Sequence, residues 1–396
     1  MSLIVKLQKI YANFFSDNLA KNLDYRKLDG LREINQFISS LPEPRDDIER
    51  SYNQYLGTVK HLSLIRKALL NTASLILVPV YLAKLLYPRK MIDAVIDCDA
   101  IFFVADHISP AIIPDSLKEE FRSIIKVNPE SGCSLDDDGR KFFCRIVSAT
   151  FGHPYYHLKA LIKIGFASDV LRRYRTKALI HNTETSFAAS LVTRYCELKG
   201  VDCIGVMHGE FFANYKSSFF RCTRFYVWDE YYRKLLVSER CEPRQFRIEQ
   251  PDCIKLPDYD DTLEKRYDLT YYLQNESEEE LTRLLGILNY LKNRGQRISI
   301  RIHPKYHSKE MFEQVFQGDW LECLESCSLG QSLSRTRLAV AKCSTVLYQA
   351  YLLDVPVMID DIADPKFYSY LKKINYHMLF KDHRLLSQYL REVKNG

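Results

Sequence analysis

Two apolar runs that each end in polar residues constrain the fold of this chain more than any other feature. The stretch from Arg297 to Asp361 begins RISIRIHPKYH and ends LAVAKCSTVLYQAYLLDVPVMIDD, which predicts a strand, then a strand, tight turn, helix and strand. Ligands of parallel α/β sheets bind beyond the carboxyl ends of the strands, where helix N-termini attract phosphate. His303 follows the first predicted strand, and Ser344 and Thr345 follow the second. The stretch therefore predicts half of a nucleotide site.

The same alternation surrounds this stretch and predicts a Rossmann-like domain over residues 256–361. Its first strand, YDLTYYLQ, ends at Gln274. Ser277 and Glu280 form a predicted capping box, which opens a helix that Gly295 should end. A further helix is predicted near residues 309–316, and the resulting β-α-β-α-β-α-β order is typical of the α/β class.

A second group of polar strand ends lies earlier in the chain. KALIHNTET predicts a strand, SFAASLVTRYCELKG a helix, and VDCIGVMHGEFF another strand. Such βαβ units imply parallel strands. The polar residues at these ends include Glu184, His208 and Glu210, which are candidates for proton transfer.

The chain has 396 residues, which favours more than one domain. We predict a helical region over residues 1–90 and a Rossmann-like domain over 91–255. After the Rossmann-like domain over 256–361, residues 362–396 are expected to form helices that pack back on the first domain.

Composition excludes several classes of protein. The net charge of +6 is modest, and no basic-aromatic nucleic-acid module is recognised. The 11 cysteines lack the spacing of zinc sites and predict buried free thiols in a reducing compartment. The first twenty residues are mixed and polar, so no signal peptide is predicted and a cytoplasmic location is expected.

One long apolar segment, ALLNTASLILVPVYLAKLL at Ala68–Leu86, has basic residues on both sides. Asn71, Pro79 and Lys84 interrupt it. We interpret it first as a helix packed inside the protein. The second interpretation is an element that contacts a membrane surface, and the third is a membrane span.

The order of the motifs over about residues 177–361 resembles bacterial GT-B surface-polysaccharide transferases. The motifs are HG, a W-D-x-x-Y-like strand and helix, a linker, R-x-HP, and an S-T helix before xPVMID. The group includes capsule sialyltransferases and polysialyltransferases, Kdo transferases of capsule export, and CDP-glycerol-type teichoic acid polymerases. The resemblance implies a GT-B fold, with two Rossmann-like domains facing a central cleft and an N-terminal helical extension.

The resemblance also implies roles for the donor-side residues. In its sialyltransferase members, the histidine of the HP motif and the Ser/Thr pair contact the CMP phosphate and the leaving group. These roles carry over to His303, Ser344 and Thr345, and we add Gln274 as a nucleotide-binding residue. No metal is expected, because histidine and a helix N-terminus can stabilise a departing monophosphate ester.

The general base is not specified by the resemblance, because no strand leads into an acidic-acidic-Gly motif here. We prefer Glu184, which follows a strand and precedes a helix, with His208 and Glu210 as rivals. Asp138 lies in the run DDDG, which is similar to that motif and to metal-binding DxD motifs. A solvated turn is the preferred interpretation of this run.

The resemblance implies an inverting glycosyltransferase that transfers an acidic sugar, sialic acid or Kdo-like, from a CMP-sugar to a bacterial surface glycan. The donor is a substrate, and no cofactor is expected. The acceptor is a glycan or a lipid-linked glycan, reached through peripheral contact with the inner membrane. The alternatives are a CDP-glycerol-type polyol phosphotransferase and a non-catalytic binding protein of capsule assembly.

Overall fold

The computed structural model describes residues 28–86, 94–129, 133–303, 320–322, 324 and 326–395. Pro304 and the helix predicted near residues 309–316 lie outside these residues. The described chain forms two compact units. We call residues 34–259 the N-terminal unit, and residues 260–395 with 28–33 the C-terminal unit.

A parallel sheet organises the N-terminal unit, with the strand order β3-β2-β5-β6-β7-β8 in the described residues. Its strands are β2 (Ala100–Phe103), β3 (Ile124–Val127), β5 (Ala178–His181), β6 (Asp202–Val206), β7 (Arg224–Val227) and β8 (Phe246–Ile248). The short strands β1 (Ile96–Asp97) and β4 (Tyr174–Arg175) pair separately.

Both faces of this sheet are buried. Alternate residues of one strand point to opposite faces. Phe102 and Ile180 accordingly belong to one apolar cluster, and Ile101 and Leu179 belong to another. Burial on both faces explains why the central strands are mostly apolar rather than alternating.

Helices precede and connect these strands. They are α1 (Leu31–Ser40), α2 (Asp47–Val59), α3 (Leu64–Leu86), α4 (Asp115–Glu120), α5 (Asp137–Ala149), α6 (Pro154–Arg173), α7 (Ala189–Leu198), α8 (Glu230–Ser238) and α9 (Asp252–Lys255). Short 3-10 turns lie at Pro110–Ile112, Tyr215–Ser217 and Pro243–Gln245. Gly200 follows α7 with a φ of +69°, a left-handed conformation that favours glycine at a helix end.

The C-terminal unit has a parallel sheet with the strand order β10-β9-β11-β12-β13. Its strands are β9 (Leu269–Tyr272), β10 (Ile298–Arg301), β11 (Ala339–Ala341), β12 (Val357–Ile359) and β13 (Arg384–Leu385). Its helices are α10 (Glu278–Asn293), α11 (Leu329–Ser334), α12 (Thr345–Leu352), α13 (Pro365–Lys373) and α14 (Leu386–Asn395), with a 3-10 turn at His377–Phe380. The predicted capping box of Ser277 and Glu280 is present at α10.

These two units confirm the predicted α/β class with two Rossmann-like sheets. In each sheet the second strand lies on one side of the first, and the later strands continue on the other side. The resulting switch points lie between β2 and β5 and between β9 and β11. Ligands of open parallel sheets bind at the carboxyl edge beside such points.

The C-terminal residues complete their own unit. Strand β13 pairs with β12, and Leu386 lies in the apolar cluster that also contains Leu284 and Ile300. Tyr389 and Val393 of α14 pack against the same cluster. The apolar face of α14 is thus used within the C-terminal unit, and the expectation that residues 362–396 pack back on the first domain stays a prediction.

The apolar segment predicted as a packed helix forms part of α3, but only one face of this helix is buried. Leu69 and Ile76 on its other face are 57% and 67% exposed, which corrects the expectation. By length and composition, residues Leu64–Ala83 of α3 would suffice to cross a membrane.

Most described cysteines are buried free thiols, as predicted, but Cys144 is exposed.

Candidate functional site

The carboxyl ends of β9 and β11 meet at the switch point of the C-terminal unit. Gln274 lies two residues beyond β9, and Ser344 lies three residues beyond β11. The Gln274 side-chain amide Nε2 donates a hydrogen bond of 2.8 Å to Ser344 Oγ. The structure thus brings together two residues that the sequence places 70 positions apart.

Ser344 is also the N-cap of α12. Its Oγ accepts a hydrogen bond of 3.2 Å from the backbone N–H of Val346. Thr345 is the first residue of the helix and is partly exposed. The N-terminus of this helix therefore presents backbone N–H groups and hydroxyls at the switch point, an arrangement that suits a phosphate.

A buried ion pair lies beside this helix start. Lys342 follows β11 directly, and its Nζ lies 2.8 Å from Glu280 Oε1 with both side chains largely buried. Burial raises the pKa of Glu276, whose Oε2 accepts a hydrogen bond of 2.7 Å from the Gln274 backbone N–H. Sequence reasoning missed Lys342 and Glu276, although each follows a predicted strand just as Ser344 and Gln274 do.

His303 follows β10, which is the neighbour of β9 on its other side. The residue lies two positions beyond the strand and is partly exposed. His303, Gln274 and Ser344 thus follow three adjacent parallel strands. Since carboxyl ends of parallel strands share one edge of the sheet, all three belong to the same edge.

The switch point of the N-terminal unit lies between β2 and β5. Asp106 and His107 follow β2 and are exposed, and sequence reasoning did not select them. His181 ends β5 and is buried, and its Nδ1 accepts a hydrogen bond of 3.1 Å from the Thr183 backbone N–H. The ring proton of neutral His181 therefore lies on Nε2, which is 3.7 Å from Cys222 Sγ.

Glu184 lies three residues beyond β5 and is only 1% exposed. Burial raises the pKa of its carboxyl to about 7. Its Oε2 has no hydrogen-bond partner among the described residues, while its backbone carbonyl accepts a bond of 3.0 Å from Gln54 Nε2. The group is a proton acceptor matched to neutral pH, but in this conformation it does not reach solvent.

His208 and Glu210 follow β6, the strand next to β5. His208 is exposed, whereas Glu210 is partly buried. Burial raises the pKa of Tyr231, and the Glu210 carboxylate nearby raises it further. Of the predicted bases Glu184, His208 and Glu210, only His208 is exposed.

The DDDG run is not the solvated turn that we predicted. Asp136 caps α5, and its Oδ1 accepts a hydrogen bond of 2.8 Å from the Gly139 backbone N–H. Asp136 and Asp138 both form ion pairs with Lys199, which lies just before β6. The run therefore lies at the amino end of the strand, away from the carboxyl edge, and Asp138 is not placed to act with Glu184 or His208.

Metal-ligand clusters of three or more His, Cys, Asp or Glu side chains are absent from the part of the chain that the structure describes.

Comparison with known proteins gives a likeness in structure alone. No protein-family model matches the sequence, and no curated protein matches it significantly. UDP-GlcNAc 2-epimerase from Methanocaldococcus jannaschii is 12% identical with a TM-score of 0.43, over 76% of this chain and 100% of that chain. The glycosyltransferase SnogD from Streptomyces nogalater is 12% identical with a TM-score of 0.40, over 67% of this chain and 81% of that chain.

The glycotransferase of kitacinnamycin is 8% identical with a TM-score of 0.44, over 76% of this chain and 89% of that chain. Likenesses at these identities and scores do not transfer a substrate or an activity to this chain.

Proposed function

We propose that this chain is a glycosyltransferase that uses a nucleotide-activated sugar. The observation that carries the proposal is the Gln274–Ser344 hydrogen bond of 2.8 Å at the switch point of the C-terminal sheet. It joins a side-chain amide to a helix N-cap at the edge where parallel sheets bind phosphates. His303 follows the adjacent strand and adds an imidazole at the same edge.

The proposed donor is a CMP-activated acidic sugar, sialic acid or Kdo-like, as the motif resemblance implies. Backbone N–H groups at the start of α12, with Ser344 and Thr345, would hold the phosphate. His303 would hydrogen-bond the phosphate oxygen as the bond to the anomeric carbon breaks. The acceptor hydroxyl attacks that carbon from the opposite side and loses its proton, CMP leaves, and the anomeric configuration is inverted.

The proposed general base for the acceptor hydroxyl is one of the candidates that follow β5 and β6. A base must come within hydrogen-bonding distance of the proton that it removes. We therefore place His208 first, because it is exposed at the end of β6. Glu184 has a pKa of about 7 that suits the role, but its burial requires a local opening before it can touch an acceptor.

The proposed acceptor is a bacterial surface glycan or its lipid-linked precursor. The enzyme would then work in the cytoplasm at the inner face of the membrane, and the exposed apolar residues of α3 are compatible with that location. A CDP-glycerol-type polyol phosphotransferase remains the alternative within transferases. A non-catalytic binding protein of capsule assembly is the alternative outside them.

A thermal-shift panel with CMP, CDP, UDP and GDP separates these proposals. We expect CMP to raise the melting temperature most. A polyol phosphotransferase also releases CMP, because it transfers the second phosphate with the polyol, so stronger stabilisation by CDP than by CMP would favour it. Stabilisation by UDP alone would exclude a CMP-sugar donor. No response to any nucleotide would favour the non-catalytic protein.

The chemical step is tested by His303→Ala in an assay of CMP release from a CMP-sugar with a surface glycan as acceptor. We expect the variant to lose transfer while it keeps the melting temperature of the wild type. Full turnover by this variant would remove His303 from the reaction.

A further inference from the structure

Helix α3 combines a packed face with an apolar face that the protein leaves uncovered. Six large apolar side chains are between 42% and 84% exposed. They are Leu64, Ile65, Leu69, Leu75, Ile76 and Val80. Ile65, Leu69, Ile76 and Val80 follow one another at spacings of four, seven and four residues, which places them along one side of the helix. A contiguous exposed apolar surface of this kind marks an interaction site.

The opposite face of α3 is held by the protein. Leu70, Tyr81 and Leu85 are each less than 10% exposed. The helix packs along α6, where the Tyr155 backbone N–H donates a hydrogen bond of 3.2 Å to Asn71 Oδ1. A membrane-spanning helix would need lipid or other apolar helices around it, whereas one side of α3 is packed against the rest of the protein. Its geometry fits a helix that lies in the plane of a membrane surface.

The charges of α3 indicate which kind of membrane surface it would contact. The sequence of α3, LIRKALLNTASLILVPVYLAKLL, contains no Asp or Glu. Arg66 at its start is exposed, and Lys67 is partly exposed. Burial lowers the pKa of Lys159 on the neighbouring helix α6 to about 8, and the charges of Lys163 and Lys216 lower it further, so this lysine is not counted as a surface cation. The cations at the start of α3, on a helix without carboxylates, complement an anionic phospholipid surface.

An exposed aromatic side chain lies near the same helix. Phe151, in the turn before α6, is 87% exposed. Tyr155 is one turn further along the chain and contacts Asn71 of α3 through its backbone, so this turn lies close to the N-terminal half of α3. Exposed aromatic rings are typical anchors at membrane interfaces.

We propose that α3 is an in-plane docking helix for an anionic phospholipid membrane. The six exposed apolar side chains enter the interfacial region of the bilayer, and Arg66 and Lys67 contact lipid phosphates. This inference goes beyond the proposed glycosyltransferase function and does not rest on it. It depends on the exposure and the charge of α3 and on the exposed Phe151 nearby.

Flotation of the full chain with vesicles tests the proposal. We expect binding to vesicles of phosphatidylglycerol and phosphatidylcholine, and weaker binding to phosphatidylcholine alone or at high salt. Leu69→Ser/Ile76→Ser should reduce binding by about tenfold or more, since two apolar side chains are withdrawn from the bilayer. Arg66→Glu/Lys67→Glu should reduce binding to the anionic vesicles selectively.

The matched control is Leu198→Ser/Ile248→Ser, which changes side chains that are 44% and 51% exposed elsewhere in the N-terminal unit. It should bind vesicles like the wild type. Undiminished binding by Leu69→Ser/Ile76→Ser would overturn the proposal. So would a wild-type chain that ignores vesicles but forms a dimer which this double variant dissociates, because a second copy would then cover the helix.

A fluorescence measurement reports on depth directly. Trp228 and Trp320 are 2% and 6% exposed, so Ile76→Trp introduces an indole in a different environment. We expect its emission to shift to the blue with anionic vesicles and to be quenched by brominated lipid. An unchanged emission spectrum in vesicle-bound protein would mean that a surface other than α3 contacts the membrane. Neither experiment contains nucleotide, so its failure is distinguishable from a failure of the transferase proposal.

Discussion

Gln274 Nε2 donates a 2.8 Å hydrogen bond to Ser344 Oγ, and this contact ties the first strand of the C-terminal sheet to the helix that follows its third strand. The same Oγ accepts the Val346 backbone N–H at 3.2 Å. Ser344 is therefore both a helix cap and the partner of a residue at the neighbouring strand end. Two predictions concern the C-terminal unit, and two concern Glu184 and His208 of the N-terminal unit.

Ser344→Ala should weaken CMP binding by about tenfold, because it removes the oxygen that positions Gln274 and caps α12. Loss of the cap should also lower the free energy of unfolding by about 1 kcal/mol. Calorimetric titration and urea unfolding measure the two effects. Asp46→Ala is the control, since Asp46 caps α2 in the N-terminal unit and should cost stability without changing CMP affinity. Unchanged CMP affinity in Ser344→Ala would remove the helix start from the binding site.

Lys342→Met should destabilise the chain by about 3 kcal/mol, because it leaves the Glu280 carboxylate buried without its cation. Glu280→Gln in the same background should recover part of that loss, so the two effects should not add. Urea unfolding of the single and double variants measures the coupling.

The control for the buried pair is Lys255→Met. Lys255 pairs with Asp115 at 2.7 Å, and both side chains are more than 40% exposed. Its removal should change the free energy of unfolding by less than about 1 kcal/mol. Equal effects at the two sites would mean that burial does not strengthen the Lys342–Glu280 pair.

Stability should fall between pH 4.5 and pH 8 on account of Glu184. Burial raises the pKa of its carboxyl from 4.5 to about 7, so the folded chain binds a proton that the unfolded chain releases. The contribution of the protonated form is therefore lost as pH rises through this interval, by about 3 kcal/mol. Glu184→Gln should flatten the profile, as measured by urea unfolding across pH.

Glu119→Gln, at an exposed position, is the control for that profile and should leave it unchanged. Glu239 is buried as well, and burial raises the pKa of its carboxyl to about 8. It therefore also lowers the free energy of unfolding as pH rises, at slightly higher pH than Glu184 does. A profile of Glu184→Gln that matches the wild type would show that the Glu184 carboxyl is already ionised at pH 5.

His208→Ala should lower the rate of CMP release in the presence of acceptor by about a hundredfold, if His208 removes the acceptor proton. Its exposure predicts little loss of stability. Glu184→Gln should affect the rate less, because Glu184 does not reach solvent in the folded chain. The reverse order of effects would identify Glu184 as the base and require an opening of the β5 loop.

Periodicity and cap signals in the sequence predicted much of the C-terminal unit. The Ser277–Glu280 capping box and the helix that begins after Ser344 lie where the local pattern places them. These features depend on residues within one helical turn, so local sequence specifies them. The order of the strands could not be derived, because it depends on which apolar faces pack against each other.

The wrong or missing predictions have two physical causes, which are contacts between residues far apart in sequence and local patterns that two different structures share. Lys342 pairs with a carboxylate 62 residues away, a separation at which spacing carries no signal. The apolar segment in α3 has the composition of a core helix and of a lipid-facing helix alike, and only its surroundings distinguish them. The DDDG run is acidic because it begins a helix, where carboxylates cap N–H groups as readily as they form turns.

The proposed phosphate site belongs entirely to one unit with an apolar core of its own. Ligand linkage then acts on that unit alone: bound nucleotide adds free energy to whichever cooperative transition melts the sheet of β9 to β13. If calorimetry resolves two transitions, their response to CMP assigns each transition to one of the two units. The transition that moves with nucleotide concentration reports the C-terminal unit, and the one that stays fixed reports the sheet that carries His208.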